Sequence, residues 1–255
     1  MNEPTLTGAM KTNAWGLLKG LRPRAIDLSR IEVLRSEPLR SLGDPGRLQN
    51  LLQQLGLNDE GLNEFPAQLH PYCGQGLLIW QFPIQFGPYL TELARHRIDS
   101  YLEIGVRHGG SFVATVEFLR RFQPGLRSVG VDIIPSPSMV EYAGSEPNSE
   151  FVCINTMSEG FDTLVRRLAP IDLVFIDSHH EETQCRHEFE RVRPYANLIA
   201  LHDIANTDCP GVGKVWAEIA ASGDYDCQEF IEQYSAGPKS YMGIGLAVRR
   251  QRLNG

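Results

Sequence analysis

The stretch LEIGVRHGGS, residues 102–111, decides the fold. It is a short apolar run that ends in a glycine turn, and the apolar residues after it have helical spacing. Glycines in such a turn let the backbone take a positive φ and approach a ligand closely. The spacing Gly105-x-x-x-Gly109-Gly110 is not the G-x-G-x-x-G of dinucleotide-binding turns. Glu103 would repel a pyrophosphate but suits a cationic amino group. The alternative is a tight strand-to-helix turn that binds nothing.

Strands and helices alternate from residue 98 onward. Apolar runs predict seven strands: Tyr101–Gly105, Ser128–Asp132, Phe151–Asn155, Asp172–Asp177, Asn197–His202, Cys227–Ile231 and Met242–Val248. Apolar residues at helical spacing separate most of them. This order predicts an α/β fold with a doubly wound, mostly parallel seven-stranded sheet. Ligands bind outside the carboxyl ends of the strands in such sheets, so we expect the functional residues there.

The chain before residue 98 has a different character. Two helical faces are predicted, one with Leu48, Leu51, Leu52 and Leu55 and one with Leu90, Leu93, Ala94 and Ile98. Prolines and glycines between Pro66 and Gly87 interrupt the pattern. We therefore expect an N-terminal helical cap region over residues 1–80 and the main domain over residues 81–255. The apolar cap helices suit a dimer surface as well as a lid, so a homo-oligomer is among the expected assemblies.

Composition limits the partners and the compartment. A net charge of −7 and a pI of about 5.5 argue against nucleic acid bound by a basic surface. No apolar run approaches the roughly 18 residues that span a bilayer, and residues 1–10 lack the regions of a signal peptide. The five cysteines form no C-x-x-C pair, which is typical of reduced thiols. We expect a cytoplasmic protein with a small-molecule partner, no nucleic acid and no membrane.

Polar and apolar residues follow the second and third strands in a pattern that suits a nucleoside. Asp132 ends the second strand, where an acidic residue can accept both hydroxyls of a ribose. Alone, an aspartate after a strand is as often a turn or helix cap, but its offset of about 27 residues from Gly105 favours the ribose. Met157 and Ser158 follow the third strand, and Ser158 can serve as a helix N-cap.

Carboxylates and imidazoles follow both of the next two strands. Asp177 ends the fourth strand and is followed by His180, and the fifth strand ends in His202 and Asp203. Two adjacent strands thus present carboxylates at the same end of the sheet. Carboxylate oxygens with an imidazole can hold a hard or borderline divalent cation. The alternative makes Asp177 a helix cap and His180 a solvent-facing residue of the first turn.

The stretch 102–111 closely resembles motif I of class I S-adenosylmethionine (SAM)-dependent methyltransferases, written E-x-G-x-x-x-G-x-S in one branch. The resemblance implies a Rossmann-like fold with SAM as cofactor. It places the methionine amino end of SAM near Glu103, the ribose at Asp132 and the adenine beside Met157. It implies SAM contacts at these residues: Glu103, Gly105, Gly109, Gly110, Ser111, Asp132, Met157 and Asp177.

The strand ends after residue 176 resemble one branch of that family, the metal-dependent sugar and macrolide O-methyltransferases with the cephalosporin hydroxylase-like proteins. That branch has D-x-x-H after strand four and an acidic pair after strand five. The resemblance implies His180 as general base and Asp177, His202 and Asp203 as metal ligands. His202 stands where an acid usually stands. The candidate ions are Mg²⁺ and Mn²⁺, and imidazole favours Mn²⁺, Fe²⁺ or Zn²⁺ over Mg²⁺. The alternative is a site that holds no metal.

Three functions compete at this point. The first is a SAM-dependent O-methyltransferase acting on a hydroxyl of a small molecule, such as a sugar or natural-product scaffold. The second is an NAD(P)-dependent oxidoreductase, which the acidic residue Glu103 and the missing G-x-G-x-x-G disfavour. The third is a SAM-binding module without catalysis, against which Asp177, His180 and Asp203 argue. Nothing in the sequence names the methyl acceptor.

Overall fold

The structure is a computed structural model that describes residues 22–234, 237 and 239–250. Residues 1–10, from which the sequence predicts the absence of a signal peptide, lie outside these ranges. So do the remaining residues before residue 22 of the predicted cap region. No helix within the described ranges is both long and apolar enough to cross a membrane.

Seven strands and eight α-helices make up the described chain. The strands are β1 (Ser100–Ile104), β2 (Arg127–Asp132), β3 (Ser149–Cys153), β4 (Ile171–Ile176), β5 (Ala196–His202), β6 (Tyr225–Phe230) and β7 (Ile244–Arg249). The helices are α1 (Glu32–Arg35), α2 (Pro45–Leu55), α3 (Pro83–Leu93), α4 (Gly110–Arg120), α5 (Pro137–Ser145), α6 (Glu159–Leu168), α7 (Glu182–Val192) and α8 (Pro210–Ala221). Three 3₁₀ helices lie at Leu28–Ile31, Leu39–Gly43 and Ala67–Tyr72.

The strands form one sheet in the order β3-β2-β1-β4-β5-β7-β6. The first five are parallel, while β7 is antiparallel to both β5 and β6. The chain reverses its direction of travel across the sheet between β1 and β4, which opens a crevice at the carboxyl ends of these two strands. The predicted α/β Rossmann-like fold with a mostly parallel seven-stranded sheet is confirmed.

Each face of the sheet carries its own apolar core, because successive side chains on a strand point to opposite faces. One face packs against α3, α4 and α5, and its buried residues include Tyr101 and Phe175. The other packs against α6, α7 and α8, and its buried residues include Leu102 and Val174. Glu103 lies two residues after Tyr101 and therefore points to the first face, within an otherwise apolar layer.

The N-terminal region packs into the first of these cores. The predicted face of Leu48, Leu51, Leu52 and Leu55 is buried in α2 and joins the apolar cluster that holds Tyr101 and Phe175. Arg35 in α1 adds an ion pair to the buried carboxylate of Glu117 in α4, at 2.7 Å. The cap region thus shares one apolar core with the sheet. The division of the chain at residue 80 stays a prediction.

Helices α3 and α5 show the main differences from the sequence prediction. Of the second predicted face only Leu90 and Leu93 lie in α3, which begins at Pro83 and ends at Leu93, while Ala94 is its C-cap and Ile98 lies beyond it. Pro83 occupies the first helical turn, where its missing N–H costs nothing, so it starts the helix instead of breaking it. Helix α5 was not expected at all. Its signal is Ser136, whose hydroxyl caps the Met139 amide, followed by a proline in the first turn.

Candidate active site

A cavity of about 760 Å³ opens at the carboxyl edge of the sheet. The loops after β1, β2, β3, β4 and β5 all contribute to its wall. Another side is closed by Glu64, Leu78 and Trp80 of the N-terminal region and by Gln81, which directly follows that region. The cavity thus lies where the fold places ligands, and its wall contains residues from both predicted regions of the chain.

Gly105 is required by the turn after β1. Its φ is +90°, and a Cβ atom there would lie 2.2 Å from the carbonyl oxygen of Asp177. The amide of Gly105 donates to the carbonyl of Val131 at 2.8 Å, which holds the turn against β2. The main chain at Gly105 therefore packs directly against the main chain at Asp177, and both residues contribute to the cavity wall.

The next two glycines have a packing role that the motif alone does not reveal. A Cβ atom on Gly109 would lie 2.5 Å from Met139 Sδ, and one on Gly110 would lie 2.1 Å from the carbonyl oxygen of Leu77. Gly110 contributes to the cavity wall, whereas Gly109 is not part of it. These positions are small because α5 and the N-terminal region pack directly on them. Their predicted contact with a cofactor stays a prediction.

Glu103 is fully buried and lies behind the cavity wall. Its carboxylate accepts hydrogen bonds from Ser111 Oγ, at 2.6 Å, and from the Tyr101 hydroxyl. Burial raises the pKa of Glu103 to about 8, although both hydroxyls lower it. Ser111 does contribute to the wall. A ligand in the cavity therefore meets the Ser111 hydroxyl before the glutamate.

Asp132 presents a fixed carboxylate to the cavity. Its Oδ2 accepts from the Arg107 amide at 2.7 Å, and its Oδ1 accepts from the Ile134 amide at 2.9 Å. Arg107 has a φ of +46°, which is uncommon for a residue with a side chain. The backbone amides thus orient the carboxylate, whose pKa is raised by burial in spite of them.

Two apolar side chains flank the space beyond Asp132. Ile133 is 59% exposed and Met157 is 52% exposed, and both contribute to the cavity wall. Met157 was expected here, whereas Ile133 was not. Ser158 occupies the N-cap position of α6, but its side chain makes no capping hydrogen bond. Large exposed apolar groups on a cavity wall suit a flat ring bound between them.

The side chains of Asp177, His180, His202 and Asp203 meet at the ends of β4 and β5, and we call them the acid–imidazole cluster. His202 Nδ1 lies 3.0 Å from Asp177 Oδ1, and His180 Nδ1 lies 3.1 Å from Asp203 Oδ2. His180 Nε2 lies 3.6 Å from Asp177 Oδ1. The four side chains therefore lie together at the carboxyl ends of two adjacent strands, as expected from the sequence.

The charges of the cluster compensate one another. Burial alone would raise the pKa of Asp177, but the imidazoles of His202 and His180 hold it well below its usual range. Burial would lower the pKa of His180, but Asp177, Cys209 and Asp203 raise it to about 11. The pKa of His202 is also raised, since its two carboxylate neighbours outweigh burial. Both imidazoles therefore favour the protonated form in this arrangement.

Two features of the cluster indicate a function beyond packing. Both ring nitrogens of His202 are buried without an aligned hydrogen-bond partner among the described residues. Asp203 has a φ of +63°, a conformation that a residue with a side chain adopts only at a cost. Ligand atoms of Asp177, His180 and His202 lie within 4.8 Å of one another, and so do those of His180, Asp203 and Cys209. A cation could bind among these groups.

Three residues at the site are not among the predicted site residues. Gln81 Nε2 donates to Asp177 Oδ2 at 2.9 Å, and Glu64 accepts from Trp80 Nε1 at 3.2 Å. Burial raises the pKa of Glu64. Cys209 lies at the start of α8 and joins the cluster. Glu64 lies in the N-terminal region and Gln81 directly after it, and no periodicity or motif marks either residue.

Comparisons with known proteins agree with this architecture. Residues 102–204, from β1 to just past β5, match a family described as a methyltransferase domain. A search of curated proteins gives no match.

Among solved structures, one similar chain is the O-methyltransferase TomG from Streptomyces achromogenes, involved in tomaymycin synthesis, in complex with SAM. It is 17% identical with a TM-score of 0.50, and the match covers 68% of this chain and 82% of that one. Another is an O-methyltransferase from Bacillus cereus in complex with S-adenosylhomocysteine (SAH), at 17% identity and a TM-score of 0.50, covering 80% and 90%. At this identity the likeness concerns the fold.

Proposed function

We propose that this chain, which is a class I SAM-dependent methyltransferase by its matched domain and its sheet order, transfers a methyl group to a hydroxyl oxygen of a small molecule. The family predicted from motif I is thereby confirmed, and the hydroxyl acceptor is our proposal. The observation that carries it is the position of Asp132 and the acid–imidazole cluster in one cavity, on either side of β1. One side suits a nucleoside and the other suits a hydroxyl that must lose its proton.

The residues on the Asp132 side fit SAM. The Asp132 carboxylate is oriented by backbone amides and can accept the two ribose hydroxyls. Gly105 and Ser111 line the cavity and can contact the amino-acid portion. Ser111 Oγ donates to Glu103, so the same hydroxyl oxygen can accept a hydrogen bond from the amino group of the methionine portion. SAM, when bound, supplies a methyl group attached to a positively charged sulfur.

The cluster can hold a divalent cation. We assign Asp177, His202 and Asp203 as its ligands, in line with the family resemblance; the sets whose ligand atoms lie within 4.8 Å of one another in the structure each include His180. The assignment is supported by His202, whose buried ring nitrogens have no aligned hydrogen-bond partner among the described residues although Nδ1 lies 3.0 Å from Asp177 Oδ1. Two imidazoles and a nearby thiol favour Mn²⁺, Fe²⁺ or Zn²⁺ over Mg²⁺. A bound cation lowers the pKa of a coordinated hydroxyl.

His180 is our candidate for the general base. In the cluster its two ring nitrogens face Asp203 and Asp177, and these carboxylates stabilise the imidazolium. A protonated ring cannot accept a proton. When Asp177 and Asp203 act as ligands, their charge is no longer available to the ring, and His180 can then accept the proton of the acceptor hydroxyl.

Titration calorimetry of the purified protein with SAH, with and without Mg²⁺ or Mn²⁺, tests the cofactor. Micromolar affinity is expected. A screen of hydroxylated acceptors with the metal that helps then tests the reaction, and His180→Ala should lower turnover while the affinity for SAH stays nearly unchanged. Absence of SAH binding under all conditions would refute the proposal, and NAD(P)H binding would then favour an oxidoreductase. SAH binding without turnover on any acceptor would favour a SAM-binding module.

We also propose a cytoplasmic location and a small-molecule acceptor. The five cysteines are free thiols in the structure, which supports a reducing compartment. A homo-oligomer formed through the N-terminal helices stays a prediction. Gel filtration with light scattering would test it directly.

A further inference from the structure

A buried carboxylate on α7 ties together two loops of the cavity wall. Glu188 is fully buried and contributes to the wall. Its Oε1 accepts from Thr156 Oγ1 at 2.7 Å, in the loop after β3, and its Oε2 accepts from Ser178 Oγ at 2.5 Å, in the loop after β4. Gln184, one turn earlier on α7, donates to the same Oε1 at 2.7 Å. Three donors thus meet one carboxylate.

These contacts fix the orientation of the Gln184 amide. Its Nε2 donates to Thr156 Oγ1 at 2.6 Å as well as to Glu188 Oε1. A carboxylate only accepts hydrogen bonds, and an amide nitrogen only donates them. Turning the amide over would therefore place Gln184 Oε1 against Glu188 Oε1, with a loss of both bonds. The orientation shown is the one that the network requires.

The carbonyl oxygen of Gln184 is consequently left as a free acceptor. Gln184 is half-buried and contributes to the cavity wall. No group among the described residues donates to its Oε1, whereas both of its amide hydrogens are used. An acceptor held in place by two bonds on its own amide is well prepared to bind a donor on a ligand.

The position of this acceptor follows from the sheet order. β3 is the edge strand next to β2, so the loop with Thr156 lies on the far side of Asp132 from the acid–imidazole cluster. A ribose held at Asp132 can direct its base toward that loop, because Met157 in the loop and Ile133 next to Asp132 offer apolar surfaces to a flat ring. Gln184 bonds to Thr156 in this loop. Its carbonyl therefore lies at the edge of the space for the base.

We propose that Gln184 Oε1 accepts a hydrogen bond from the exocyclic amino group of the cofactor's adenine and so selects a 6-aminopurine over a 6-oxopurine. The inference rests on the proposed function, since it requires a SAM-type nucleoside in the cavity. Glu188 acts as a positioning residue, because it holds the amide that presents the carbonyl. A 6-oxo group would face the Gln184 carbonyl oxygen and leave both acceptors without a donor.

The experiment compares two nucleosides by calorimetry, SAH and S-inosylhomocysteine, which differ in the group at position 6 of the base. The unaltered protein should bind S-inosylhomocysteine roughly tenfold to a hundredfold more weakly than SAH. In Gln184→Met, which keeps the length of the side chain and removes the acceptor, the ratio should fall close to one. Asp132→Asn is the matched control: it should weaken both ligands and leave their ratio unchanged.

Each outcome decides between the two proposals. Equal affinities in the unaltered protein would overturn the role of Gln184 while leaving the methyltransferase proposal intact. A preference for SAH that persists in Gln184→Met would also overturn it, since another group would then read the amino group. Failure of the unaltered protein to bind SAH would refute the proposed function, and the inference with it.

Discussion

Gln81 and Asp177 are joined by a hydrogen bond of 2.9 Å from Gln81 Nε2 to Asp177 Oδ2, although 96 positions separate them in the chain. The bond connects the segment just before α3 to the end of β4, inside the acid–imidazole cluster. One oxygen of Asp177 is held by Gln81, and the other faces His202. The segment before α3 therefore helps to orient a candidate metal ligand as well as to enclose the cavity.

Gln81→Leu should weaken Mn²⁺ binding by about tenfold or more, because partners that orient a ligand typically contribute this much to metal affinity. Stability should change little, since Gln81 Oε1 is itself buried without a partner among the described residues. Mn²⁺ titration followed by electron paramagnetic resonance measures the affinity, and urea unfolding measures the stability. The exposed Gln75→Leu serves as control. Equal Mn²⁺ affinity in both variants would contradict the positioning role.

Asp132→Ala should lower the affinity for SAH by roughly tenfold to a hundredfold, because two ribose hydroxyls lose their charged acceptor. Calorimetry with SAH checks this. Asp226→Ala, which removes an exposed aspartate paired with Arg250, should leave the affinity unchanged. Unaltered SAH binding by Asp132→Ala would exclude the ribose contact.

Glu103 should make the protein less stable as the pH rises. Burial raises its pKa from 4.5 to about 8. The protonated form is therefore favoured in the folded state, and its contribution is fully present below pH 4.5 and is lost as the pH rises through about 8. Each pH unit between these values costs about 1.4 kcal/mol. In Glu103→Gln this slope should disappear.

Urea unfolding of the unaltered protein and of Glu103→Gln at a series of pH values from about 5 to about 8 measures the difference between their pH slopes. This range lies between the two pKa values of Glu103. The other titrating groups are common to both chains, so subtracting the two curves isolates Glu103. Parallel curves would mean that Glu103 keeps an ordinary pKa in the folded protein.

Gly110→Ala should destabilise the fold by about 1–3 kcal/mol, because its Cβ would lie 2.1 Å from the carbonyl oxygen of Leu77. Gly144, in α5, has nothing within 4 Å of a Cβ atom. Gly144→Ala should therefore be neutral or stabilise the protein by up to about 1 kcal/mol. Thermal unfolding of the two variants compares them. If Gly110→Ala changed the stability as little as Gly144→Ala does, the Leu77 segment would have moved to make room for the added methyl group.

The sequence predicted the parts of this structure that local patterns encode. Seven strands follow from apolar runs, and Asp132, Asp177 and Asp203 follow from their positions at strand ends, since the topology of a parallel sheet brings those ends together. Gln184 and Glu188 could not be assigned in this way. Their role arises from hydrogen bonds between α7 and two loops, and no periodicity of α7 distinguishes them from other polar residues.

The individual contacts of Glu64 and Gln81 depend on tertiary packing that the sequence does not give. Gln81 and Glu64 reach the cavity only because α2 and α3 pack in the core of the sheet. Their short-range surroundings contain prolines, glycines and aromatic residues without a regular spacing. The glycines of motif I were identified, but the reason for Gly110 depends on Leu77, a contact that exists only in the folded chain.

The apolar core that the N-terminal helices share with the sheet has a consequence for protein engineering. Residues of the cavity wall such as Glu64 and Trp80 belong to a region whose leucines complete the packing around Tyr101 and Phe175. Exchanging that region for the corresponding segment of another enzyme would expose the sheet and remove the ion pair to Glu117. New acceptor preferences will have to be introduced by individual substitutions on the cavity wall, with the helices beneath it left in place.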